Sequence, residues 1–178
     1  MKEKKRLIVG EVAPDFTLPA LGGAKITLSE RRGEKIWLAF FRYAGCPLCN
    51  LRVGEMIARH ARYEQAGLTI LTVWQSPLDR LVRLVDKQEP PFPLLADPRE
   101  EVYGRYGLEA KLSGMFAPAV TVKLAKAAAR GFFPGPTDGT KTRLPGDFLI
   151  DEQGVLRDVF YGRDIAEHIP FERVEAFI

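Results

Sequence analysis

Phe40-Phe41-Arg42-Tyr43-Ala44-Gly45-Cys46-Pro47-Leu48-Cys49-Asn50 is the stretch around which the chain is organised. The residues leading into it, Ile36 to Phe41, are continuously apolar and aromatic rather than alternating, which predicts a buried strand. Gly45 breaks that run, and two cysteines follow at i and i+3. An amphipathic stretch then extends to about Ala66. Val53, Met56, Ile57, His60 and Ala61 share one stripe, with Arg52, Glu55, Arg59 and Arg62 largely off it. Strand, tight turn, Cys-x-x-Cys, helix: this order places the cysteines where a helix begins.

A helix start carries unpaired N–H groups and partial positive charge, so a sulfur there is stabilised as the thiolate, its reactive form. Pro47 suits the first helical position, which needs no amide hydrogen, and this makes Cys46 the N-cap. Cys49, one turn on, can lie against Cys46 and close a small disulfide ring. Arg42, four residues before Cys46, adds a second positive influence if its side chain turns toward the sulfur; otherwise it is a surface or ion-paired arginine. A free cysteine has a pKa of ~8.5, and such surroundings lower it. The expectation is an ionised, accessible Cys46. Tyr43 lines its entrance or belongs to the core, and Asn50 receives no role.

Other uses of the pair stay open at this point. Cys-x-x-Cys is also half a zinc site, but structural zinc needs about four ligands. Cys46 and Cys49 are the only cysteines, and His60 and His168 the only histidines, none at finger spacing. Two inert buried thiols are the other alternative. Redox chemistry, with no metal and no cofactor, is favoured because the pair sits between strand and helix.

With 178 residues the chain suits a single domain with a sizeable core, and a formal charge of +3 is too small to imply nucleic acid. Met1–Arg6 is basic, but only Leu7-Ile8-Val9 follow before Gly10, short of an export signal. No run reaches membrane-spanning length. A cytoplasmic protein is expected, where a cysteine pair is more often catalytic than structural. Residues 1–9 read as a solvated tail.

Asp15–Leu18 and Lys25–Leu28 are candidate strands joined through Gly22-Gly23. Gly67 stops the cysteine helix, and Leu68–Trp74 has strand character. Ser76-Pro77-Leu78-Asp79 predicts a helix with Ser76 as its N-cap, running to Pro90-Pro91. Phe92–Ala96 reads as a strand, and Asp97-Pro98-Arg99-Glu100 as a helix start with Glu100 at the capping-box position. Ala119–Arg130 predicts a helix with Val120, Leu124, Ala127 and Ala128 inward and Lys123, Lys126 and Arg130 on a solvated face. The sharper alternative for this region is a lid or docking surface near the cysteines, suggested by Met115, Phe116, Phe132 and Phe133. Unchanged kinetics and oligomeric state after deletion of 112–140 would remove it. Gly131 to Gly139 is a loop. Leu144–Asp151 and Val155–Tyr161 form a hairpin, and Phe171–Ile178 a last helix.

Gly10-Glu11-Val12-Ala13-Pro14-Asp15-Phe16-Thr17-Leu18-Pro19, Phe92-Pro93-Leu94-Leu95-Ala96-Asp97-Pro98 and Pro145-x-x-Phe148-Leu149-Ile150-Asp151, in this order around Cys-x-x-Cys, resemble the AhpC/TSA redoxins of thioredoxin-like fold. The resemblance covers most of 10–107 and 145–161, leaving 108–143 as an insertion. It implies an α/β fold, a central mixed β-sheet flanked by helices with an N-terminal β extension. It also implies that Pro145 is a cis-proline facing the cysteines. There are departures. Typical members place Pro and Thr seven and three residues before the peroxide-reacting sulfur, where Ala39 and Tyr43 stand here. Phe40 occupies the position of thioredoxin's buried acid. Phe41-Arg42-x-x-Gly45-Cys46-Pro47-x-Cys49-Asn50 is closer to the peroxiredoxin-like subgroup that carries Cys-x-x-Cys.

The expected protein is a thiol oxidoreductase. Cys46 attacks a peroxide or disulfide and Cys49 resolves the product. Arg42, Tyr43, Pro47 and Pro145 shape the site, and a thioredoxin- or glutathione-type thiol restores it. No nucleic acid or membrane partner is implied; a homodimer is compatible with the sequence. The alternative is a non-catalytic redox-sensing or protein-binding module. His60 reads as a helix-face residue, and His168 carries no signal.

Overall fold

The computed structural model describes residues 5–178, so the first lysines of the expected tail lie outside the described residues. From Lys5 onward the chain is docked rather than free: Lys5 pairs with Glu11 at 2.9 Å, and Leu7 N–H donates to the Tyr161 hydroxyl at 2.7 Å.

Strand β3 (Lys35–Phe40) forms from the apolar run, and it sits at the centre of a five-stranded mixed sheet. Parallel to it run β4 (Leu68–Trp74) and then β5 (Leu94–Ala96), and antiparallel on its other side lie β6 (Gly146–Ile150) and β7 (Leu156–Tyr161). The parallel step from β3 to β4 needs a crossover, supplied by α1 (Pro47–Gln65). Gly67, at φ +76°, turns the chain from that helix into β4. A small hairpin of β1 (Thr17–Pro19) and β2 (Lys25–Thr27) precedes the sheet.

Because β3 is central, alternate residues feed two separate cores. Ile36, Leu38 and Phe40 join Tyr103, Tyr106 and Phe148 on one face, while Trp37, Ala39 and Phe41 join both cysteines on the other. Each fully buried large side chain contributes about 1.5–3 kcal/mol relative to exposure. The first face carries α3 (Glu101–Arg105); the second carries α1 and α5 (Phe171–Glu175), with Val174 fully buried.

Several local expectations are corrected. Helix α2 spans Leu78–Leu84 with Pro77 at its cap; the Ser76 hydroxyl instead accepts the Ala44 N–H at 2.7 Å. The strand expected over Phe92–Ala96 begins at Leu94; Pro93 has no N–H to give the ladder, and its carbonyl accepts both the Thr72 N–H at 3.3 Å and the Thr72 hydroxyl at 2.9 Å. Asp97 caps α3, accepting Val102 N–H at 2.8 Å, but Glu100 turns left-handed at φ +55° and leaves the capping-box role. Helix α4 (Pro118–Ala129) buries Val120 and Ala127 as expected and exposes Lys126 and Arg130, but Leu124 and Ala128 also face out. Lys123, half-buried, reaches the Ala166 carbonyl at 2.7 Å, and the exposed Lys126 pairs with Glu55 on α1.

Candidate active site

Cys46 is the N-cap of α1 and Pro47 its first residue. The loop before them is held by buried polar groups. Asn50 Nδ2 donates to the Ala44 carbonyl at 2.7 Å and the Cys46 carbonyl at 3.0 Å, and Gln88 Nε2 fixes its other end at 2.9 Å. Asn50 therefore has a structural role that its sequence position did not reveal. The Tyr103 hydroxyl, 2.7 Å from the Phe41 carbonyl, pins the exit of β3.

Both cysteines are free thiols and the Arg42 side chain has turned inward, its Nη1 3.2 Å from Cys46 Sγ. Burial alone raises the Cys46 thiol, but the Cys49 hydrogen bond, the Arg42 charge and the N–H groups of Cys49 and Leu48 outweigh it and bring it to about 6. Cys49 moves the other way, pushed well above an ordinary thiol by burial and by the charge beside it. At neutral pH the pair is one thiolate and one thiol. Tyr43, half-buried with Arg42 5.1 Å from its ring centre, flanks them, and burial raises its phenol.

Cys46 was expected to be accessible, and it is not: it is fully buried. It sits in the apolar core, and a strap, residues 132–143, crosses the loop before it, holding Gly45, Arg42 and Ser76. Gly135 N–H donates to the Gly45 carbonyl at 2.9 Å, and a Cβ on Gly45 would meet the Pro136 carbonyl oxygen and lie 2.8 Å from the Gly135 carbonyl carbon. Only glycine permits that approach. Arg42 Nη2 donates to the Lys141 carbonyl, and the Ser76 hydroxyl to Asp138. Beside the strap a groove of about 250 Å³ runs past Gly45 and Asn50, walled by Lys87, Gln88, Phe132 and Phe133. Phe116 and Phe133 are exposed, at 77% and 69%.

Pro145 is buried at the start of β6, but every described peptide bond is trans, which overturns the expected cis bond. Lys111 N–H reaches the Thr142 carbonyl at 2.9 Å and Leu144 N–H the Glu109 carbonyl at 3.0 Å. The tight turn before β6 is made upstream of Pro145, where Arg143 N–H bonds the Thr140 carbonyl at 3.1 Å.

Sequence reasoning missed a buried acid on the cysteine face. Asp147, opposite Ala39 in the sheet, accepts from Trp37 Nε1 at 2.9 Å and Ile169 N–H at 3.0 Å, and lies 3.0 Å from His168 Nδ1. Burial alone raises its carboxyl, but His168, Arg52 and the Ile169 N–H hold it below the ordinary value. Burial lowers His168 against the opposing pull of Asp147, whose carboxylate faces Nδ1. The available signal was a charge inside the apolar run Phe148-Leu149-Ile150 extends from. His60 is half-buried, 6.0 Å from the Phe92 ring centre, and takes no part. Among the described residues no cluster of His, Cys, Asp or Glu is arranged to hold a metal ion.

A thioredoxin-like sheet with one stabilised thiolate and one thiol at the start of its first long helix defines a thiol-dependent oxidoreductase. The AhpC/TSA family model matches residues 9–159, and the chain belongs to that family. Peroxiredoxin Bcp of Escherichia coli K12 is 26% identical over 154 residues, covering 86% of this chain and 85% of that protein. The thiol-disulfide oxidoreductase ResA of Geobacillus thermodenitrificans is 26% identical over 172 residues, covering 94% and 79%. The crystal structure of peroxidoxin BcpB from Mycobacterium tuberculosis shares the fold, with a TM-score of 0.66 at 16% identity, covering 89% of this chain and 88% of that one.

Proposed function

We propose that Cys46 is the attacking sulfur and Cys49 the resolving sulfur of a peroxide-directed member of this family. The observation that carries this is Cys46 Sγ at a helix N-cap, 3.2 Å from Arg42 Nη1 and beside a thiol that stays protonated. The Cys46 thiolate displaces alcohol or water from a hydroperoxide, taking one oxygen as sulfenic acid while a proton goes to the leaving oxygen. The Cys49 thiol then condenses with the sulfenic acid, releasing water and forming the Cys46–Cys49 disulfide. Two equivalents of external thiol, thioredoxin- or glutathione-type, reduce that bond and are themselves oxidised to a disulfide.

The chain works as one redoxin domain with 108–143 added, in the cytoplasm, where such reductants keep thiols reduced. No described helix is long and apolar enough to cross a membrane.

A disulfide-directed enzyme is the second reading. It is favoured by Tyr43 and Ala39 at positions the peroxide apparatus usually fills. Coupling the protein to a thioredoxin system and comparing hydroperoxide consumption with reduction of a protein disulfide decides between them; faster disulfide turnover reverses the assignment. Cys49→Ser should stop turnover and leave sulfenic acid on Cys46. Stoichiometric oxidation without turnover in the native protein would instead make it a redox sensor.

A further inference from the structure

The strap over Cys46 is fastened from outside the cysteine motif, and its fastenings converge on one carboxylate. Glu100 Oε1 accepts from Gln75 Nε2 at 2.7 Å and from the Thr140 hydroxyl at 2.8 Å, and Oε2 pairs with Arg143. Thr140 and Arg143 bracket Lys141, whose carbonyl takes Arg42 Nη2 while Nη1 of the same guanidinium reaches Cys46 Sγ. Gly139 is packed so closely on Gln75 that a Cβ there would lie 2.8 Å from its side chain. Glu100 holds this place at φ +55°, a left-handed conformation uncommon for a residue with a side chain. A backbone outlier persists where its surroundings over-determine it, and three partners do so here.

We propose that Glu100 is a positioning residue for the thiol chemistry. By anchoring Thr140 and Arg143 it keeps the Lys141 carbonyl where it aims Arg42 at Cys46, and the same anchoring keeps the sulfur covered until the strap lifts. Loss of the carboxylate should therefore have two effects: a weaker hold on the thiolate and easier access to it. This rests on Cys46 being the reacting thiolate.

The test measures alkylation of Cys46 by iodoacetamide in the reduced full chain, as a function of pH, with the adduct located by mass spectrometry. The groups facing the sulfur are Arg42, Cys49 and Tyr43, so the native midpoint should fall at about 6. In Glu100→Gln the midpoint should rise by about one unit toward that of a free thiol, and the plateau rate above it should rise several-fold. Thr140→Val, which removes one hydroxyl from the strap, should move both in the same direction but less, and carries the test if Glu100→Gln does not fold. Arg173→Ala, on a surface pair with Asp158 that makes no contact with the strap, should move neither. A native midpoint near 6 with neither midpoint nor plateau changed in the Glu100 and Thr140 variants overturns the proposal alone. An ordinary native midpoint overturns it together with the thiolate assignment.

Discussion

The two faces of the central sheet are built from the same strand yet differ in kind. On the face of Phe40, Tyr103, Tyr106 and Phe148 the rings pack at 4.9–5.7 Å, most pairs edge to face, with their hydroxyls pinned to backbone carbonyls and the buried Arg143 lying 5.6 Å from the Tyr103 ring centre. On the other face, Arg42 is buried against Cys46, and Asp147 and His168 are buried among apolar side chains. Buried charge is costly unless paired, so the second face gives up stability that the first supplies. The difference teaches that stability and reactivity here are assigned to opposite sides of one β-strand, which makes them separable by mutation.

The largest expected separation comes from Phe148→Ala. Removing that fully buried ring should cost about 3–5 kcal/mol in urea unfolding and leave the Cys46 alkylation midpoint of the folded protein unmoved. A shifted midpoint would show that the faces are coupled. Arg42→Met is the mirror experiment. Taking the positive charge from 3.2 Å should raise the Cys46 midpoint from about 6 by about 1–3 units, slowing reaction at neutral pH, with a smaller effect on unfolding.

His168 gives a graded effect. Its folded pKa is lowered by burial, so the unfolded chain binds the extra proton first, and stability falls as pH drops below the unfolded value of ~6.5. Asp147, also lowered, adds a loss of the same sign further into acid, as pH falls through its folded value. Thermal melts should decline from neutral toward acid by up to about 1.4 kcal/mol per pH unit for the histidine. His168→Gln should flatten that decline, and an unchanged slope would remove His168 as its cause. Smallest of all, Lys126→Ala breaks a half-exposed pair with Glu55 and should cost under about 1 kcal/mol. A larger loss would show that α4 helps hold the cysteine helix.

How much of this was legible in the chain followed from whether the cause was local. The run Ile36–Phe41 and the step Gly45-Cys46-Pro47 fix strand, turn and helix cap through nearest-neighbour sterics, and they formed as read. Ser76 did not cap its helix because a distant partner, Ala44 N–H, competed for the hydroxyl. Leu124 was expected inward but faces out, while Lys123 on the same helix is half-buried because the distant Ala166 carbonyl accepts its ammonium. Asp147 and His168 are 21 residues apart and meet only once β6 and the C-terminal segment pack together. The strap was harder still, for its hold on Cys46 passes through a backbone carbonyl, which any residue at position 141 would provide.

The chain has two tryptophans, and Trp37 and Trp74 both fall in the core that contains Cys46 and Cys49. Trp74 stacks parallel on Phe41, at 4.5 Å and 5°, immediately before the cysteine loop. Intrinsic indole emission is thus blind to one half of the molecule and tuned to the other, an unlabelled optical gauge of whatever happens to the sulfurs.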